Sequence, residues 1–519
     1  MHFREGVHHK EITRGALWNI LGYLLGGAIA LTLPILLLKW LGRAQYGLVS
    51  YLSLIVSQAY LLNLGMGEVM AQRLTVSYFS GRASEGWQVL RTALGVVWII
   101  TLVLSILWLN WGREIICLVF ALTVEETRLI YATERWMPLG IWGIQTGVFM
   151  NWVPVALRRF QWAAFNAISQ AVWQGLFPLV LTGLFSPPSP VVAMQSILLG
   201  YALYGLTLWL SGAYLIGFIP FPGSLKGSLS LIRQGLWASL NSLLAIPFAF
   251  VERSLVGRWA SLSYMGFYSA LHYILTKCMT IWTKGAEALF PVFGSQRDTA
   301  SRQALRLSQA VWFVSITSGV VGFLGWAIFL LGVPWLPIRI GLDEMKMISG
   351  MVAAWIGLTP LTPLITFFHS RGLIKTAFWI NFSLTATQLA LLPLLEREGL
   401  LFGALAGGAL VAMAVATWVL REGVFTRRLW GSWVIPTYTR LMGGWLVAAL
   451  LSLTGMNLNF KVLFILTILA ILIGLEGRGT MGLHKVSFLR TLGYALKGLC
   501  STAWGGFLRP LRQRATNNR

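Results

Sequence analysis

The chain has 519 residues, of which 56% are hydrophobic and only 11% charged. Soluble domains carry about 25% charged residues to solvate their surfaces, so this composition excludes a soluble enzyme or a string of globular modules. The net charge of +23 would suggest nucleic acid in a soluble protein. Here the basic residues lie between apolar runs, where membrane topology accounts for them and no nucleic-acid partner is expected.

A spanning helix needs roughly 20 mostly apolar residues. The N-terminal tail is polar, and its His8-His9 pair alone makes a poor metal site. The first apolar run, 15–38, has full spanning length without a convincing cleavage site, so no signal peptide is expected. Further runs follow near 46–68, 92–111, 136–157, 161–184 and 191–217. A second series lies near 235–252, 263–287, 309–331, 347–369, 376–395, 399–420, 441–456 and 460–476. The expected fold is therefore an all-α, polytopic membrane protein with about fourteen spans and no soluble domain.

The loops carry an alternating sign. With the N-terminus in the cytoplasm, inner loops hold Arg73, Arg82, Arg91, Arg158, Arg159, Lys226 and Arg233, and the series continues through Arg371 and Lys375 into the basic tail. Outer loops hold far fewer, which fits the positive-inside rule and places both termini in the cytoplasm of a cell (inner) membrane. The outer segment 112–135, with Glu114, Glu125, Glu126 and Glu134 among apolar residues, reads as a short amphipathic helix. Ser186-Pro187-Pro188-Ser189-Pro190 reads as a rigid connector. Cys117, Cys278 and Cys500 are scattered and are expected to be free, mostly buried thiols.

An internal repeat runs through these spans. Leu33-Pro34, Leu41-Gly42-Arg43 and Tyr46-Gly47-Leu48-Val49-Ser50 reappear as Ile246-Pro247, Val256-Gly257-Arg258 and Met265-Gly266-Phe267-Tyr268-Ser269. The spacing drifts by a few residues before the turn and stays fixed from Tyr46 and Met265 onward; in that fixed register Glu68 falls opposite Glu287. An even number of spans separates the copies, so the halves share one orientation, as in transporters with two rocking halves.

Phosphate-loop, zinc-protease and nucleophile-elbow motifs are absent, and Asp occurs only at Asp298 and Asp343. Catalysis and cofactors are not expected. The informative residues are ionisable groups at membrane depth, which mark pathways or partners. Lys277 and Lys284 are seven positions apart and so lie about 20° apart around a helix. They are candidates for a basic, cavity-lining stripe; Lys284 is close enough to the inner surface to snorkel instead. Glu68 and Glu287 close two spans on the inner side, either as headgroup-level carboxylates or as ion-coupling groups. Glu252-Arg253 lies at an outer end, where adjacent positions point about 100° apart, so one member is expected to face inward and the other the headgroups. His272 and His369 read as satisfied polar residues, and Asn19, Asn63 and Asn241 as hydrogen-bonding links between helices.

These residues also carry a resemblance. Arg14-Gly15-Ala16-Leu17-Trp18-Asn19, Leu41-Gly42-Arg43-Ala44-Gln45-Tyr46-Gly47 and Leu64-Gly65-Met66-Gly67 with Arg73 resemble bacterial polysaccharide flippases of the Wzx type. Glu252-Arg253, Gly257, Gly266-Phe267-Tyr268-Ser269 and Ala288-Leu289-Phe290-Pro291 extend it, with Glu252 where that family usually has Asp. The wider group is the multidrug/oligosaccharidyl-lipid/polysaccharide exporter superfamily.

The resemblance implies two six-helix lobes around a central cavity, residues 1–217 and 218–420, with two extra helices and a basic tail in 421–519. It implies a transporter, not an enzyme, that flips a polyprenyl-pyrophosphate-linked oligosaccharide to the outer leaflet by alternating access. Lys277, Lys284, Arg14 and Arg73 would contact the anionic substrate, and Glu68, Glu252 and Glu287 would couple an ion. Membrane lipids, the lipid-linked glycan and a glycan polymerase or glycosyltransferases are the partners implied. A multidrug exporter and a peptidoglycan-precursor flippase of the same superfamily are the alternatives.

Overall fold

The computed structural model describes residues 32–120, 122–157, 159–185, 188–225, 227–243, 252–258, 261–287, 361–370 and 374–391, with a few isolated positions besides. Every regular element in them is helical. Among the described residues three helices are long and apolar enough to cross a membrane, Ala83–Leu118, Gln161–Leu184 and Pro190–Ile216, and the bent pair Arg43–Leu62 with Met66–Phe79 passes the same test when taken as one span. The chain is thus an all-α, multi-pass membrane protein. Expected spans beyond 391, and most of those between 288 and 360, lie outside the described residues.

Helix α1 (Thr32–Leu41) leads through Gly42 into α2 (Arg43–Gln58). The expected span 46–68 is not continuous. It passes through a 3₁₀ turn at Ala59–Leu62, then through Leu64 and Gly65 in the left-handed region (φ 55° and 63°), before α3 (Met66–Phe79) starts at a 42° bend. A left-handed leucine costs roughly 1–2 kcal/mol, so the break is held by its surroundings. Asn63 Oδ1 accepts from the Gly65 amide at 3.0 Å, and Gln145 Nε2 donates to the Ala59 carbonyl at 2.8 Å. Asn63 therefore caps its own break where a link between helices was expected.

Helix α4 (Ala83–Val119) has 37 residues, about 55 Å at 1.5 Å per residue, and so outruns the ~30 Å hydrocarbon core. Ile99, Leu102, Val103 and Ile106 are exposed on one side, while Leu90, Leu94 and Val97 are buried on the other. Its buried hydroxyls, Thr101 and Ser105, donate to carbonyls one turn back (2.8 Å each), so they enter an apolar environment already satisfied. The segment 112–135 divides between the end of α4 and α5 (Val124–Glu134), whose Thr123 and Glu126 form a reciprocal capping box.

Next come α6 (Met137–Met150), α7 (Trp152–Ala156), α8 (Phe160–Ala171), a π-helical turn (Val172–Leu176), α9 (Phe177–Leu184) and α10 (Pro190–Ile216). Pro178 explains the π turn: it has no N–H for the Gln174 carbonyl one turn back.

After α10 the chain turns at Gly217 (φ 81°) and runs back along α4 before turning again at Gly227 (φ 90°). Between those turns Arg91 Nε donates to the Phe221 carbonyl (3.2 Å), Thr92 Oγ1 to that of Ser224 (2.9 Å) and Trp209 Nε1 to that of Pro220 (2.9 Å). The Gly223 amide donates to the Arg91 carbonyl (3.0 Å). This connector is a strap on the first half of the chain. Beyond it lie α11 (Ser228–Leu243), helical residues 252–258 (α12), α13 (Leu262–Glu287), α14 (Leu361–Ser370) and α15 (Ile374–Leu391).

The two copies of the sequence repeat meet in space. A Cβ on Gly47 would overlap the Leu262 carbonyl and lie 3.1 Å from the Gly266 amide; a Cβ on Gly266 would overlap the Arg43 carbonyl and lie 3.0 Å from the Gly47 amide. Arg43 and Leu262 each stand four residues before the glycine of their own copy, so the contact is reciprocal. Such self-complementary contact is the mark of a local two-fold relation between α2 and α13. Neither glycine has room for a side chain, which is why both copies carry one.

Candidate functional site

Directly beside this crossing, α12 brings two charged side chains into the interior: Glu252 is 1% exposed and Arg253 8%. The Tyr268 hydroxyl on α13 donates to Glu252 Oε1. One turn further along α13, Arg253 Nη2 donates to His272 Nδ1 at 3.2 Å. A guanidinium can only donate, so Nδ1 accepts and the ring proton sits on Nε2. Another turn on, Thr276 Oγ1 donates to the His272 carbonyl at 2.7 Å. Residues 268, 272 and 276 thus form one polar strip at the four-residue spacing of a helix face. From α2, Tyr51 and Ser254 share a hydroxyl–hydroxyl bond of 2.9 Å, and Ser53 bonds the Tyr201 hydroxyl of α10 at 3.2 Å.

Burying charges this deeply costs several kcal/mol for each ion. Compensation is incomplete: among the described residues, Glu252 Oε2 and Arg253 Nε carry no hydrogen bond. The free carboxylate oxygen and the free guanidinium N–H leave this pair with capacity for a further partner.

The expectation that one member of Glu252-Arg253 faces the headgroups is corrected here. Both are enclosed, because α12 has neighbours on two sides, α2 through Tyr51 and α13 through Tyr268 and His272. His272 is a satisfied polar residue, as expected. Tyr268 and Tyr51 were not singled out as site residues, since partners 16 and 203 positions away in sequence leave no local signal.

The other candidates are spread out. Arg73 is half-buried on α3 and reaches across to α11, donating to Gln234 Oε1 (3.0 Å) and Ser230 Oγ (3.1 Å). Glu68 is exposed in the first turn of α3. Lys277, Lys284 and Glu287 lie on α13, but their side chains fall outside the described residues, as do Arg14, His369, Asn19 and Asn241. The Lys277 backbone is one turn beyond Tyr273. Cys117, expected to be buried, is exposed near the end of α4. Among the described residues no group of three His, Cys, Asp or Glu side chains gathers as a metal site. A concavity of about 490 Å³ lies along α4 at Leu107, Trp111, Glu114, Ile115 and Leu118, and no residue of the charge cluster lines it.

No family model matches the sequence, and no curated protein matches it either. Solved structures do. The chain is similar to a multidrug resistance MATE family transporter of the MOP superfamily in an inward-facing conformation (TM-score 0.59, 17% identity, 77% of this chain and 93% of that one). It is similar to the lipid II flippase MurJ in an inward closed conformation (TM-score 0.64, 13% identity, 89% and 98%). A third is the MATE multidrug transporter DinF-BH in complex with R6G (TM-score 0.56, 16% identity, 79% and 95%). At these identities the likeness is one of fold: this chain has the polytopic helical fold shared by those transporters and that flippase.

Proposed function

We propose that the protein is a membrane transporter that moves a polyprenyl-pyrophosphate-linked oligosaccharide from the cytoplasmic to the outer leaflet by alternating access. Its lobes would be residues 1–217 and 218–420, with 421–519 peripheral. The observation that carries this reading is the sign of the charge at the crossing. Glu252 is the buried carboxylate there, and it is offset by Arg253, with Arg43 stacked 5.4 Å from the Phe267 ring centroid close by. Lys277 and Lys284 follow on α13. A site for cationic drugs needs uncompensated carboxylate, whereas this balance suits an anionic pyrophosphate headgroup. The fold this chain shares with a lipid II flippase over 89% of its length is compatible with a lipid-linked substrate, as its likeness to MATE transporters is with the alternative.

Lys277 and Lys284 are assigned to the headgroup, and Glu252 is the carboxylate of choice for ion coupling, ahead of Glu68 and Glu287. The test is reconstitution into liposomes with an imposed ion gradient. Lipid-linked oligosaccharide should cross between leaflets, and a cationic dye should not be expelled. Lys277→Ala should slow lipid transfer roughly tenfold, the loss of about 1.4 kcal/mol of charge-assisted binding, and Lys277→Arg should keep part of the rate. Dye efflux without lipid transfer would overturn the reading in favour of the multidrug exporter.

A further inference from the structure

Arg73 emerges from the fold with a different environment from the one its sequence position suggests. Its guanidinium is bound to two side chains of α11, Ser230 and Gln234, four residues apart on one face of that helix. Three features surround this contact. Gly227, with φ 90°, is the turn immediately before α11. The connector ahead of that turn is strapped to α4 through Arg91 and Thr92 and to α10 through Trp209. On the far side of the contact, Gly235 packs on the carbonyl of Leu64, the left-handed residue at the break between α2 and α3.

Together these define a hinge and a catch. The strap moves with the first half, so rotation of α11 relative to it concentrates at Gly227, where a glycine adopts the required backbone at no steric cost. The break at 63–65 lets α3 tilt independently of α2. Arg73 bridges the two mobile pieces. We propose that the Arg73–Ser230–Gln234 contact is a latch that holds α3 against α11 in this conformation, closing the seam on the side that the positive-inside pattern places in the cytoplasm, and that it must break for that side to open. This rests on the alternating-access reading. It gives Arg73 a conformational task in place of substrate contact.

The test needs no substrate, so failure of the flippase reading would not affect it. In a background with Cys117, Cys278 and Cys500 replaced by Ser, Leu231→Cys places a thiol at a position only 2% exposed, next to Ser230. Inside-out vesicles are treated with a membrane-impermeant maleimide. Arg73→Ala should raise the labelling rate about fivefold or more, as expected when a contact near 1 kcal/mol is lost. Gln234→Ala should raise it in the same direction, and the double variant should gain little further, since both remove one interaction. Gln234→Glu, which turns the contact into an ion pair, should lower labelling below the parent. Unchanged labelling in both Arg73→Ala and Gln234→Ala, with normal membrane abundance, would overturn the latch; additive effects of the two would overturn the pairing.

Discussion

Substituting the two crossing glycines by alanine tests the reciprocal geometry quantitatively. Ordinary van der Waals contact for a Cβ begins at 3.4 Å, but at Gly266 the new methyl would lie 3.0 Å from the Gly47 amide and overlap the Arg43 carbonyl. At Gly47 it would lie 3.1 Å from the Gly266 amide and overlap the Leu262 carbonyl. The obstacles are backbone atoms, which no rotamer change can clear, so restoring ordinary contact needs α2 and α13 to part by roughly 1–1.5 Å. Overpacking of this kind typically costs 1–3 kcal/mol. The same displacement relieves both clashes, because each is the counterpart of the other. Each single variant should therefore lose about 1–3 kcal/mol, and the double variant little more than the worse single, giving a coupling of about 1–2 kcal/mol. Reversible unfolding of the purified protein in mixed micelles, followed by helical circular dichroism, measures the cycle. Additive losses, or singles within 0.5 kcal/mol of the parent, about the scale of inconsequential surface substitutions, would refute the reciprocal contact.

Two further outcomes follow from the charge cluster and the outer helix. Glu252→Ala should destabilise by about 3–5 kcal/mol, because it strands the buried guanidinium of Arg253; Glu252→Gln, which still accepts from Tyr268, should cost clearly less while abolishing gradient dependence of transport in liposomes. Thr123→Ala removes half of the capping box and should cost α5 about 1 kcal/mol, seen as faster trypsin cleavage at Arg128 with no change in global melting.

Much of this organisation is legible in the sequence where one residue type does one job. Gly47 and Gly266 stand out because no other residue fits a backbone-to-backbone crossing, and their shared register survives although the surroundings have diverged. Glu125, Glu126 and Glu134 mark a short helix in 112–135, while the capping-box spacing of Thr123 and Glu126, which sets where α5 starts, does not enter that reading. The break at 63–65 is hidden, because Leu64 is an ordinary apolar residue in composition and the cap of Asn63 beside it is joined by Gln145 and α11, which sequence does not place there. The burial of Arg253 is hidden for a related reason. Helix periodicity separates it from Glu252 by about 100°, but it says nothing about helices enclosing α12 from both sides. Arg73 reads as an inner-loop cation by the positive-inside rule; only the packing of α11 shows it bound to Ser230 and Gln234.

The crossing at Gly47 and Gly266 also has a consequence in time. At roughly 5–20 residues per second, the approximately 220 residues between them take about 10–40 s to synthesise. During that interval α2 is in the bilayer with its glycine face uncovered, while the strap and α10 complete the rest of the first half around it. A small-residue face is adhesive to any helix that can approach it. The newborn chain is therefore most open to pairing with a wrong neighbour at Gly47, until α13 arrives to cover it.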